Sequence, residues 1–187
     1  SSSEKNIVDL DNTVTKNIKN LAEHKNTRPE NLTACLLNRP RHKKHIEELK
    51  DLNVKLKLIS DGDVSGALLV TKDEFNIDIF LGIGGGPEGV LAASALDAYG
   101  CFFQGKFLFN SEEDKLRAKK MGIENFDKKY ELNEIVSGDS IFCATGITSG
   151  DLVGGINLTN SIFTSETLVT HKSSGFKKIL KSTHKIK

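Results

Sequence analysis

The sequence predicts an α/β fold, an α/β layer with a parallel or mixed sheet and an antiparallel C-terminal section. Three observations carry this reading. Strand-like and helix-like segments alternate from residue 32 to residue 121, on connections of βαβ length. One strand-to-helix junction is the glycine-rich turn Gly82-Ile83-Gly84-Gly85-Gly86-Pro87-Glu88-Gly89. Beyond Asp151 the helical pattern is lost, and residues 162–169 and 176–180 read as two strands.

The elements follow in order. Ser1, Ser2 and Ser3 form a flexible start, and Asp11 or Thr13 caps a helix with Val14, Ile18 and Leu21 on one face. Residues 32–37 form a continuous apolar run, a buried strand that Pro40 ends. A helix follows with Ile46, Leu49 and Leu52 inward. Residues 54–59 form a strand ending at Ser60-Asp61-Gly62-Asp63. Residues 64–70 are a short helix in which Gly66 and Ala67 permit close packing, with Asp61 or Asp63 as its N-cap. Residues 77–81 form a strand, and the helix after the glycine turn is stopped by Gly100. Residues 102–109 read as one strand. Ser111 caps the next helix, with Asp114 three residues on and Gly122 at its end. Residues 140–144 form a further strand.

Composition bounds the function. At 187 residues the chain is one domain or a large piece of one. A net charge of +1 predicts no binding of nucleic acid or a membrane surface by bulk electrostatics. The lysines from Lys172 to Lys187 read as a solvated edge or frayed tail. Cys35, Cys101 and Cys143 are odd in number and lie in apolar runs, which predicts buried free thiols and a reducing, cytoplasmic setting. No run is long and apolar enough for a membrane span, and no signal peptide is visible.

Four turns fall at the carboxyl end of a strand, the edge where open α/β sheets bind ligands. They contain Arg39-Pro40-Arg41-His42, Asp61-Gly62-Asp63, the glycine turn with Glu88, and the segment from Ala144 to Asp151. Arg39 and Arg41 supply planar forks for phosphate oxygens. Asp61 and Asp63 suit sugar hydroxyls or a divalent cation, and Glu88 suits a hard metal. A carboxylate in the first turn after a glycine loop repels phosphate unless a cation sits between them. His42 and His45, beside lysines, read as solvated. Three chemistries fit: a dinucleotide site on Gly84, Gly86 and Gly89, an aspartyl-phosphate phosphatase using Asp61 and Asp63, and metal-assisted phosphomonoester hydrolysis. Pro87 and Glu88 argue against the first; no downstream lysine with paired aspartates supports the second.

The runs LISDGDVSGALL, DIFLGIGGGPEGVLAASAL and FCATGITSGDLVGGI, with VDLDNTVTKNIKNLA and NRPRH, resemble the class II fructose-1,6-bisphosphatases of bacteria, some of which also hydrolyse sedoheptulose-1,7-bisphosphate. The resemblance extends from about Ile7 to the C-terminus. It implies a fold similar to the lithium-sensitive sugar phosphatases, a layered α/β sandwich with a mixed sheet. It implies hydrolysis of the 1-phosphate of fructose-1,6-bisphosphate with Mn²⁺ or Mg²⁺, in gluconeogenesis or the reductive pentose phosphate cycle. It puts substrate contacts at Arg39, Pro40, Arg41, Asp61, Gly62, Asp63 and Gly85, and makes Glu88 a metal ligand. Family members carry a long N-terminal section that supplies most metal-binding carboxylates. Residues 1–187 are therefore expected to be the C-terminal part of such an enzyme, inactive alone. A truncated homologue or a non-catalytic sugar-phosphate-binding module is the alternative. An uncovered sheet edge or apolar face would also favour a homo-oligomer.

Overall fold

The computed structural model describes residues 7–185. The expectation for Ser1 to Ser3, and that for Lys187, fall outside them. In chain order the elements are α1 (Val14–His24), β1 (Thr33–Leu37), α2 (Lys43–Asp51), β2 (Lys55–Ile59), α3 (Asp63–Leu68), β3 (Ile79–Phe80), α4 (Gly86–Asp97), β4 (Gln104–Lys106), α5 (Glu112–Lys120), β5 (Lys129–Glu131), α6 (Leu132–Ile135), β6 (Ile141–Thr145), β7 (Asn157–Thr159), β8 (Ile162–His171) and β9 (Phe176–Lys185).

Three sheets result. β1 is central in a parallel sheet of order β2-β1-β3, with Ala34 opposite both Leu56 and Ile79. β4 and β5 form an antiparallel pair. β8 is the spine of an antiparallel sheet: β9 pairs with its whole length, while β7 and β6 share its other edge. Mixed pairing and the antiparallel finish match the predicted fold class.

The layers follow from the apolar pattern. Val14, Ile18 and Ala22 of α1 and Leu49 of α2 pack on Ala34 and Leu36 of β1. Cys35, on the other face of β1, meets Leu69 and Ile77. β1 is thus covered on both faces, as an unbroken apolar run requires. A second core joins Ala67 and Leu68 of α3, Ala92, Ala95 and Leu96 of α4, Phe142 of β6 and Leu168 of β8. The order is helices, parallel sheet, helices, antiparallel sheet. Thr13 caps α1 by accepting from the Lys16 N–H, and Ser111 caps α5 by accepting from that of Asp114. Gly100 (φ +65°) and Gly122 (φ +85°) take the left-handed conformation at the helix ends.

Several local expectations are corrected. The N-cap of α3 is Gly62, at φ +90°, so Asp61 and Asp63 flank the cap. The run 102–109 pairs only over β4. Phe107 and Phe109 leave the ladder and pack their rings on Tyr130 and Phe126. β5, α6 and β7 lacked a sequence signal strong enough to mark them. Cys143 is exposed rather than buried, because Phe142 and Ala144 take the inward positions of β6. Burial raises the Cys35 thiol to about 11, which leaves it inert.

Candidate functional site

The parallel sheet delivers three turns to one edge. β1 runs into Asn38 and a short 3₁₀ turn at Pro40–His42, β2 into Ser60 to Asp63, and β3 into the glycine turn. Parallel neighbours end side by side, so these turns meet.

His42 holds the first turn to the third. Its ring is buried at 1% exposure, against the solvated position the sequence suggested. Nδ1 donates to the Leu37 carbonyl at 2.9 Å, and Nε2 accepts from the Ile83 N–H at 2.8 Å. An acceptor at Nε2 and a donor at Nδ1 fix one neutral tautomer. Burial pushes the imidazole below its ordinary value, the Leu37 carbonyl opposes, and Arg41 and His45 add to the depression. Arg41 Nε donates to the Ile83 carbonyl, so both backbone polar groups of Ile83 are held by the β1–α2 turn.

The charged groups gather around this clamp. Arg39 lies 3.7 Å from Asp61, and Arg41 lies 3.9 Å from Asp63. These separations are longer than hydrogen bonds and both arginines are over two-fifths exposed, so each pair is worth about 0–1 kcal/mol and leaves the Arg39 fork, and the terminal nitrogens of Arg41, available to an arriving anion. The Gly62 N–H donates to Asp61 Oδ1 at 2.9 Å, and Ser65 Oγ donates to the Gly62 carbonyl at 2.9 Å. Asp63 is pressed against the third turn: a Cβ on Gly84 would lie 3.2 Å from Asp63 Oδ2. Glu88, in the first turn of α4, folds back over Gly85, where an added Cβ would lie 2.2 Å from Glu88 Oε2. Glycine is required at 85 if Glu88 is to sit there.

Asp63, Gly84, Gly85 and Glu88 line a cleft of about 400 Å³, together with Ile79, Phe80 and Leu81 and, from the N-terminal segment, Asp9 and Asn17. Arg39, Arg41 and Asp61 lie outside it. Pro40 is the first residue of the 3₁₀ turn, with extended Arg39 before it and Arg41 after it. The fourth predicted turn is elsewhere. β6 belongs to the antiparallel sheet, and Asp151 pairs with Lys57 of β2 at 2.5 Å. Its glycines tie the loop to β8: the Gly146 N–H donates to the Glu166 carbonyl and the Gly154 N–H to the Glu166 carboxylate.

One arrangement had no sequence signal. Residues 9–12 fold around the buried Asn17, which accepts from the Asp9 N–H and donates to the Asp9 carbonyl. Lys129 binds Asp9 and Asp11 and holds both carboxyls below their usual value.

For a divalent cation the fit is incomplete. Glu88 is an exposed carboxylate at the mouth of the cleft, but among the described residues no three His, Cys, Asp or Glu side chains gather as a metal site. A hard cation takes about six oxygens. The described residues by themselves supply too few, and no reaction step through a metal follows from them.

Residues 1–184 match the family model described as bacterial fructose-1,6-bisphosphatase, glpX-encoded. The chain is 36% identical over 193 residues to a protein of Trichodesmium erythraeum named D-fructose 1,6-bisphosphatase class 2/sedoheptulose 1,7-bisphosphatase, covering 96% of this chain and 56% of that protein. Proteins of the same name from Synechocystis sp. and Microcystis aeruginosa are each 34% identical, covering 95% of this chain and 55% of theirs. The chain thus spans little more than half the length of these curated relatives.

Proposed function

The chain belongs to the bacterial fructose-1,6-bisphosphatase family, and on that premise we propose that it provides the phosphate- and sugar-binding half of a sugar bisphosphatase. Within a polypeptide of the relatives' length, Arg39 and Arg41 grip a phosphate of fructose-1,6-bisphosphate or sedoheptulose-1,7-bisphosphate. Pro40 sets the angle between the two forks. Asp61 and Asp63 orient sugar hydroxyls, with Gly62 allowing the tight approach. Gly85 presents backbone to the ligand. Glu88 contributes one carboxylate toward Mn²⁺ or Mg²⁺, whose other ligands come from outside this chain. Such a cation supplies activated water and charge stabilisation when bound. The reaction is hydrolysis of the 1-phosphate, and no helix among the described residues is long and apolar enough to cross a membrane.

The observation that carries this reading is the clamp at Ile83. His42 and Arg41 tie the β1–α2 turn to the glycine turn there, which supports one sheet edge on which Arg39, Arg41, Asp61, Asp63 and Glu88 act together. Binding by positioned groups needs such rigidity. The test is phosphate release from fructose-1,6-bisphosphate with Mn²⁺, measured for a family-length polypeptide and for this chain. The reading expects turnover by the long form, abolished by chelator. For the short form it expects binding that shifts the Arg39 and Arg41 Nε–H resonances without turnover. A long form that binds the bisphosphate but never releases phosphate makes the chain a sugar-phosphate-binding module instead.

A further inference from the structure

α4 carries no charged or amide side chain between Glu88 and Asp97: the sequence is Gly-Val-Leu-Ala-Ala-Ser-Ala-Leu. A helix apolar around its whole circumference is one that its protein buries on every side. Here only part is covered. Ala92, Ala95 and Leu96 pack into the core with α3 and β6, and Ala93 is fully buried. Val90 is 49% exposed and Leu91 50% exposed, next to Pro87 and Ser94 at helical spacing. Gly86, one turn before Val90, touches the Phe107 ring, where an added Cβ would meet Phe107 Cε1 at 3.7 Å. Phe107 is 42% exposed and Leu108 62%. These exposed aromatic and aliphatic side chains form an apolar flank beside the glycine turn, its two segments meeting at Gly86 and Phe107. Patches of this kind mark surfaces that something covers.

We propose that this flank is the seat of the remaining part of a family-length polypeptide, which packs on Val90, Leu91, Phe107 and Leu108. Two facts select that occupant. The chain spans only 55–56% of its curated relatives, so polypeptide of nearly its own size is available to cover it. A second copy docked about a two-fold axis through the flank would add its own Glu88 to the border of the contact, a like charge that disfavours it. The proposal rests on the functional reading above only in taking a family-length polypeptide as the working form.

Hydroxyl-radical footprinting tests it without any substitution. The probe compares this chain with the same chain joined to the part of the Trichodesmium erythraeum relative outside the matched region. In the chain alone, Val90, Leu91, Phe107 and Leu108 are modified readily. In the joined form their modification falls about fivefold or more as the flank is buried. Met121, 73% exposed at the C-terminal end of α5, reacts equally in both, and the fully buried Ile18 and Leu49 react in neither, which reports an intact fold. Equal modification of the flank in both forms overturns the proposal. Protection in the chain alone that grows with its concentration also overturns it, in favour of a second copy. Phosphate release is followed on the same samples. Protection without turnover keeps this interface and removes the proposed activity; turnover without protection does the reverse.

Discussion

Replacing His42 with alanine tests whether one buried imidazole holds the candidate site together. The variant removes two hydrogen bonds, to the Leu37 carbonyl at 2.9 Å and from the Ile83 N–H at 2.8 Å. Two such bonds are worth about 1–3 kcal/mol net, and the groups they leave unpaired add to this when water cannot reach them. A loss of about 2–4 kcal/mol is expected, which lowers the melting temperature by roughly 10 °C in a chain of this size. Asparagine and glutamine divide the effect. An asparagine amide can replace Nδ1 as donor to Leu37; a glutamine carbonyl can replace Nε2 as acceptor from Ile83. Each should restore about half of the loss. The same ring predicts a pH dependence. Its pKa is lowered from 6.5 by burial, so as pH falls below 6.5 the unfolded chain takes up the proton first. Stability is therefore full above 6.5 and declines from there down to the folded value. Arg41 and His45 steepen the decline, and Asp63 opposes it. Urea denaturation at pH 7.5 and pH 5.5 measures both effects. An alanine variant within 0.5 kcal/mol of the parent, the limit for a surface change, would refute the clamp, as would no pH response lost on substitution.

Other expected outcomes are independent of this one. Arg41→Ala raises KM for the bisphosphate in the family-length polypeptide, and Arg41→Lys recovers little because a point charge cannot replace a fork; an unaltered KM removes Arg41 from the site. Gly85→Ala leaves the melting temperature within a few degrees, because the atom displaced is the far end of Glu88, yet weakens Mn²⁺ dependence of activity; a metal titration like the parent's contradicts it. Ile18→Ala costs about 2–5 kcal/mol in denaturation, because the side chain is fully buried between α1 and β1. Lys129→Ala raises the titration midpoints of the Asp9 and Asp11 carboxyls, followed by NMR. The stabilisation those carboxylates give at neutral pH, lost in the parent as pH falls through the lowered midpoints, then shrinks.

The parallel half of the fold was legible because its signals are local. The unbroken apolar run of β1, the caps Thr13 and Ser111, and the glycines after α4 and α5 each declare themselves within a few residues. The short strands β4, β5 and β7 owe their existence to partners far away in sequence, and the aromatic run 102–109 was diverted from pairing by rings at Phe126 and Tyr130. Cys143 followed a period-two alternation that its apolar neighbours concealed. At the candidate site, the convergence of three turns was legible because each ends a strand of one parallel sheet. The fourth turn ends a strand of another sheet, a distinction only pairing reveals. The clamp was hidden for a related reason. Nothing near His42 in sequence announces Ile83, forty-one residues on, whose backbone takes both the imidazole and the Arg41 guanidinium.

Whether the Glu88 carboxylate holds a cation decides between a metal-dependent bisphosphatase and a binding module. Phosphate release from fructose-1,6-bisphosphate is measured against Mn²⁺ concentration for a family-length polypeptide and its Glu88→Gln variant. Loss of one carboxylate ligand should lower activity about tenfold or more at limiting Mn²⁺, with partial recovery at excess. Superimposable metal titrations for the two proteins would contradict the account.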